Sequence, residues 1–195
     1  MKIGIFGSSF NPFHIGHLAM IDQAIERLDL DKMLLVPTKN PYHKQVDLLD
    51  FEDRISLCRI EAELNRKLEI SDIEARIEGP SYTYEVINKL RELYPRSDFY
   101  FIMGSDSLIN FHSWYRYEEL IKMATYVIFK RPEDPDIKGK INDYRDLGME
   151  LYYYDDLQMQ ISSSFIRESL REGKSVRYLL TDRSLKYIKE NGYYE

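Results

Sequence analysis

The sequence predicts an α/β fold built on a doubly wound, mostly parallel sheet. Two observations carry that prediction. Six short apolar or aromatic runs alternate with helical patterns along the chain, and several of these runs are continuous, as in strands covered on both faces. A βαβαβαβ order of this kind implies right-handed crossovers between parallel strands.

The elements follow in order. Residues 2–6 read as a first strand that breaks at Gly7-Ser8-Ser9. Gly7 is expected to permit the tight exit turn and Gly16 to let a ligand approach the backbone. From Ile15 a helix is expected, because Leu18, Ile21, Ile25 and Leu28 recur along one apolar face. A second strand, 32–36, leads into a loop over 37–47. Phe51, Ile55, Cys58 and Ala62 repeat the helical theme before a third strand at 68–71. Pro80 and a capping Ser81 introduce a helix over 84–93 carrying Val86 and Leu90, with Tyr94 continuing its face. Strand 98–103 is followed by Gly104 and by Asp106, read as an N-cap for 107–111. Strand 125–130 precedes a loop over 131–140 that holds two prolines. The last strand is 151–154, whose three tyrosines are read as packing, and Ser162-Ser163-Ser164 then cap a run with Ile166 and Leu170. Arg167 falls in the expected first turn, where a cation is disfavoured by the helix dipole unless an anion sits at that end.

No repeat and no dividing linker is visible, so residues 1–195 read as one domain. Composition is that of a globular chain, 44% hydrophobic and 31% charged. The single cysteine, Cys58, excludes an intrachain disulfide and points to a reducing, cytoplasmic setting. No apolar run reaches membrane-spanning length, and the N-terminus lacks the shape of a signal peptide. A net charge of −6 without a Lys/Arg stripe argues against nucleic acid, although one pocket can still be locally positive.

Ligands in such sheets bind outside the carboxyl ends of the strands. That edge collects residues 7–17, 38–44, 104–106 and Arg131, the segments richest in Gly, His, Lys and Asp. His14 and His17 stand at the start of a helix, where unpaired N–H groups and ring donors together suit a phosphate. Converging donors of this kind serve an in-line phosphoryl or nucleotidyl displacement, which requires no nucleophile from the enzyme. A zinc site lacks a third ligand at motif spacing, and neither G-x-x-x-x-G-K-[ST] nor G-x-G-x-x-G occurs.

Residues Gly7-Ser8-Ser9-Phe10-Asn11-Pro12-Phe13-His14-Ile15-Gly16-His17-Leu18 resemble the signature of the HxGH nucleotidyltransferase superfamily. Pro37-Thr38-Lys39-Asn40-Pro41-Tyr42-His43-Lys44, Ser81-Tyr82-Thr83, Gly104-Ser105-Asp106, Trp114-Tyr115, Arg131-Pro132 and Ile161-Ser162-Ser163-Ser164-Phe165-Ile166-Arg167 follow in the order found in bacterial nicotinate-nucleotide adenylyltransferases. The chain departs from that pattern at Ser8, Ser9, Asn11, Tyr42 and Ser164; Asn11 cannot serve as a carboxylate base or strong Mg²⁺ ligand.

The resemblance implies a Rossmann-like nucleotidyltransferase fold that joins AMP from ATP to nicotinate mononucleotide, with Mg²⁺ accompanying ATP. It makes His14 and His17 catalytic. It assigns Gly7, Ser8, Ser9, Phe10, Gly16, Gly104, Asp106, Ile161, Ser162, Ser163, Ser164 and Arg167 to ATP. Lys44, Ser81, Tyr82, Thr83, Trp114, Tyr115 and Arg131 go to the mononucleotide. The expected partners are these small molecules, with no nucleic acid and no membrane; a homo-oligomer is left open.

Overall fold

Successive apolar residues face opposite sides of one sheet, and that alternation sets the architecture. The computed structural model describes residues 1–40 and 48–194. Its strands are β1 (Lys2–Ser8), β2 (Lys32–Pro37), β3 (Leu68–Ile70), β4 (Asp98–Gly104), β5 (Thr125–Phe129) and β6 (Leu151–Tyr154). They pair in the order β3-β2-β1-β4-β5-β6, and every pairing is parallel. The helices are α1 (Ile15–Leu28), α2 (Phe51–Ala62), α3 (Thr83–Leu93), α4 (Ser105–Ile109), α5 (Tyr117–Leu120), α6 (Lys138–Asp146), α7 (Ser163–Arg171) and α8 (Asp182–Glu190).

Ile3, Ile5, Leu34, Val36 and Phe101 enter one core with Val86, Leu90 and Ile141 of α3 and α6. Phe6, Met33, Leu35 and Ile102 enter the other with Ile21, Ile25 and Leu28 of α1. The expected double winding is therefore present, and the chain reverses its direction of travel between β1 and β4. A third cluster joins Leu57 of α2 to Ile166 of α7 and Ile188 of α8. No helix among the described residues is long and apolar enough to cross a membrane.

Several expectations need correction. β1 runs through Ser8, so Gly7 lies in the strand and makes no turn. The turn comes later, at Phe10 with φ 46° and at the cis Asn11–Pro12 bond. α3 is capped by Tyr82 rather than Ser81, and α4 by Gly104, which puts Asp106 inside that helix. The loop expected over 131–140 ends where α6 starts, and α5 and α8 were not expected at all. The first is a single turn, and the second carries only two aliphatic residues, Leu185 and Ile188, among charged ones. Tyr152 on the edge strand is exposed rather than packed, while Tyr154 lies 4.5 Å beneath the Arg27 guanidinium. The loop expected over 37–47 is described only as far as Asn40.

The turn after β1 buries irregular backbone, whose carbonyls need donors. Arg54 of α2, 1% exposed, supplies one there and two nearby: it donates to the carbonyls of Ser9 (2.8 Å), of Thr38 after β2 (2.7 Å) and of Leu49 before α2 (3.0 Å). Arg54→Met retains the apolar stem and removes all three donors. Its expected cost is about 2–4 kcal/mol, seen as a lower urea midpoint at constant m-value. An unchanged midpoint would contradict this role.

Candidate active site

The carboxyl ends of β1, β2 and β4 open onto a cavity of about 630 Å³, beside the point where the strand order reverses. Gly7, Ser8, Ser9 and His17 line it from the β1 side, and Gly104, Asp106 and Arg131 from β4 and beyond β5. Ser81, Tyr82, Thr83, Trp114 and Tyr115 form its far wall. A smaller cavity of about 40 Å³ adjoins it, lined by His14, Gly16, His17, Arg131 and Ile161. His17 and Arg131 belong to both.

The two imidazoles lie ring on ring, with centroids 3.6 Å apart and planes at 18°. Both side chains are buried. The His14 N–H donates to Nδ1 of His17 at 3.2 Å. Neutral His17 must therefore carry its proton on Nε2, leaving a donor that is fixed in direction. Phe6, Phe10 and Phe13 surround this ring, with centroids 5.2–5.6 Å away. Phe10 is fully buried, its ring packed edge-on against His17.

Burial lowers the proton affinity of His14 to a pKa of about 4, with the positive charge of Arg131 adding to the effect. His14 is thus neutral in the free protein, and its buried Nδ1 has no hydrogen-bond partner. Gly16 explains the tight placement. A Cβ there would come within 3.1 Å of the His14 ring, so this glycine clears space for the imidazole, and it also lines the smaller cavity.

The helix starts are less bare than the sequence implies. The Ile15 N–H is already given to the Leu179 carbonyl at 3.1 Å. Ser162 caps α7 by accepting the Phe165 N–H, as expected, and Ser163 donates to the Pro12 carbonyl at 2.9 Å. Arg167 lies one turn further on than expected, buried, donating to the Asn11 carbonyl (2.7 Å) and to Ser164 Oγ (3.3 Å). Ser162, Ser163, Ser164 and Arg167 line neither cavity, and Ser163 and Arg167 bond to carbonyls of the turn that carries the histidines. Asn11 is fully buried, and its Oδ1 accepts from the Leu49 N–H and the Tyr194 hydroxyl, an anchoring role that an amide fills.

Asp106 and Arg131 pair at 3.0 Å across the mouth of the cavity. Gly104 makes that pair feasible, since a Cβ there would collide with both side chains. Trp114 is half-buried, packing on Phe101 and Phe111 while facing the cavity, and Tyr115 stacks on Tyr82 at 4.5 Å. Ser81 accepts the Asn40 N–H at 3.0 Å. Lys44 lies outside the described residues. Sequence reasoning did not single out Glu74, a buried carboxylate in the cavity wall, or the buried Arg54. Among the described residues no three His, Cys, Asp or Glu side chains gather as a metal cage.

This fold and site define a nucleotidyltransferase, and the chain belongs to the Cytidylyltransferase-like family, whose model matches residues 5–169. Within that family its relatives are more particular. A Bacillus subtilis nicotinate-nucleotide adenylyltransferase is 32% identical over 100% of this chain and 98% of its own length. A Fusobacterium nucleatum protein named as a probable nicotinate-nucleotide adenylyltransferase is 35% identical over 97% of this chain and 98% of its own. The fold matches that of Plasmodium falciparum nicotinic acid mononucleotide adenylyltransferase, solved with NaAD. Its TM-score is 0.82, at 22% identity over 99% of this chain and 97% of that one.

The depressed His14 pKa fixes a pH effect. The unfolded imidazole takes up its proton near 6.5 and the folded one only near 4, so the unfolded state binds more protons in between. Stability therefore falls as pH drops through that window, by up to about 3 kcal/mol. An NMR titration of the ring should find His14 near pKa 4 in the free protein, and His14→Gln should flatten the acid loss. A free-protein value near 6.5 would show the ring to be solvated.

Proposed function

We infer that this chain is an adenylyltransferase that moves AMP from ATP to nicotinate mononucleotide, giving nicotinate adenine dinucleotide and pyrophosphate in NAD biosynthesis. The observation that carries this reading is the single cavity holding His17 on one side and the 81–83 turn with Trp114 and Tyr115 on the other. Membership of the family supports the choice of substrates. We also read the 195 residues as one working domain of the cytoplasm, acting on small molecules without nucleic acid.

In this reading an oxygen of the acceptor phosphate attacks the α-phosphorus of ATP in line. The new P–O bond forms as the bond to the β-phosphate breaks, and pyrophosphate leaves with that electron pair. His17 donates from Nε2 to a non-bridging oxygen, where negative charge grows. His14, neutral beforehand, gains proton affinity once the triphosphate offsets Arg131.

Gly7, Ser8, Ser9, Gly16, Gly104, Ile161 and the start of α7 are assigned to ATP, and Asp106 to a ribose hydroxyl that competes with Arg131. Arg167 is assigned to the β- and γ-phosphates. Magnesium enters as part of the ATP complex, carried by phosphates and water rather than by a protein cage. Trp114 offers its face to the pyridine, and Lys44 is assigned to the acceptor phosphate.

At the pyridine end the amide of Tyr82 is spent on the Pro80 carbonyl at 2.9 Å, which leaves the opening turn of α3 at Thr83 to meet the ring substituent. A helix start suits a carboxylate, whereas an amide turns an NH₂ toward a donor.

The decisive experiment supplies ATP, Mg²⁺ and a panel of mononucleotides and identifies products by mass spectrometry. Pyrophosphate release is expected only with an acceptor present, with nicotinate mononucleotide favoured over the amide in kcat/KM. A covalent adenylyl-protein formed from ATP alone, or a preference for the amide, would sink the reading. His17→Ala should lower kcat by about a hundredfold or more, as loss of an electrostatic donor does. Near-normal turnover would reduce His17 to a packing residue.

A further inference from the structure

Glu74 is 5% exposed, lies in the wall of the main cavity and is not a ligand in any reading given above. Its carboxylate accepts the Lys39 N–H at 2.6 Å and the Ser81 hydroxyl. Ser81 in turn accepts the Asn40 N–H, and the Asn40 side chain donates to the Gly79 carbonyl at 3.3 Å. Two segments far apart in sequence, 38–40 after β2 and 79–83 before α3, are therefore tied into one edge. Thr38, Ser81, Tyr82 and Thr83 of that edge all line the cavity.

The Ser81 hydroxyl makes two bonds inside this clamp: its proton goes to Glu74, and one of its two lone pairs accepts from Asn40. Burial raises the pKa of Glu74, while the bonds from Ser81 and Lys39 and the nearby Arg54 charge oppose that rise. A carboxylate placed in a cavity wall at this desolvation cost is held there by the bonds it accepts.

We propose that Glu74 is a positioning residue for the acceptor: it fixes the 38–40 and 79–83 segments against each other so that the mononucleotide meets a preformed edge. The proposal rests on the acceptor reading of this cavity. Turnover of the wild-type protein with nicotinate mononucleotide tests that reading first. The ratio of each variant to wild type then tests Glu74 alone.

Glu74→Ala should raise KM for nicotinate mononucleotide about tenfold or more, the scale of one or two buried bonds lost. KM for ATP, whose binding residues lie on the other side of the cavity, should change less than about twofold. Glu74→Gln keeps an oxygen for the Lys39 N–H and should restore most of the acceptor KM. Should Glu74→Ala fail to fold, Ser81→Ala cuts the same clamp and should give the same split between the two KM values. Equal rises for both substrates, or an unchanged acceptor KM, overturn the proposal. So does a Glu74→Gln variant as impaired as Glu74→Ala at equal Tm, since that would mean the charge acts on the substrate itself.

Discussion

Everything at the site depends on how the chain satisfies its backbone between β1 and α1. That turn is irregular and largely buried, with Phe10, Asn11 and Phe13 almost wholly out of solvent. Its carbonyls cannot pair within a helix or sheet, so side chains from elsewhere pair them. Arg54 takes Ser9, Arg167 takes Asn11, and Ser163 takes Pro12. The Ile15 amide closes the set on Leu179. Donors from α2 and α7 and an acceptor near α8 thus frame His14 and His17, which explains why the C-terminal third of the chain matters to residues near its beginning.

That frame also sets the electrostatics. Three phenylalanine rings and a stacked neighbour leave His17 little freedom, and the backbone bond to Nδ1 selects its tautomer. His14 is held neutral by burial beside a cation. The resting protein therefore avoids burying two positive imidazoles face to face, which would cost several kcal/mol at this separation in a poorly solvated site.

The sheet was legible in the sequence because its strands are continuous apolar runs, and burial on both faces leaves few other ways to place them. The cavity was legible too, since strand ends in a wound sheet converge, and most of the expected residues do line it. What spacing could not reveal is which donor meets which acceptor. Arg167, Ser163 and Phe10 sit in motif segments yet act on the backbone or on His17 rather than lining a cavity. Gly16 lies against the His14 imidazole, a contact that no spacing announces. Glu74 and Arg54 gave no signal at all, because a charged residue in a polar stretch looks solvated until the fold closes over it. Masking by tertiary burial is a general limit of pattern reading.

The two halves of the cavity are built on different principles. On the side of His14 and His17, the imidazoles stand at the start of α1, and side chains of α2 and α7 hold the buried turn before them. A transition state that develops charge at one atom rewards fixed dipoles, because none need reorganise as the charge appears. On the opposite side, the wall is assembled from two loops joined by Glu74, Ser81 and Asn40. Loops tolerate change in sequence and length better than helix starts do. A fold arranged this way can keep one chemistry while the opposite wall is recut for a different acceptor, which is the division expected where a family shares a reaction and differs in what it modifies.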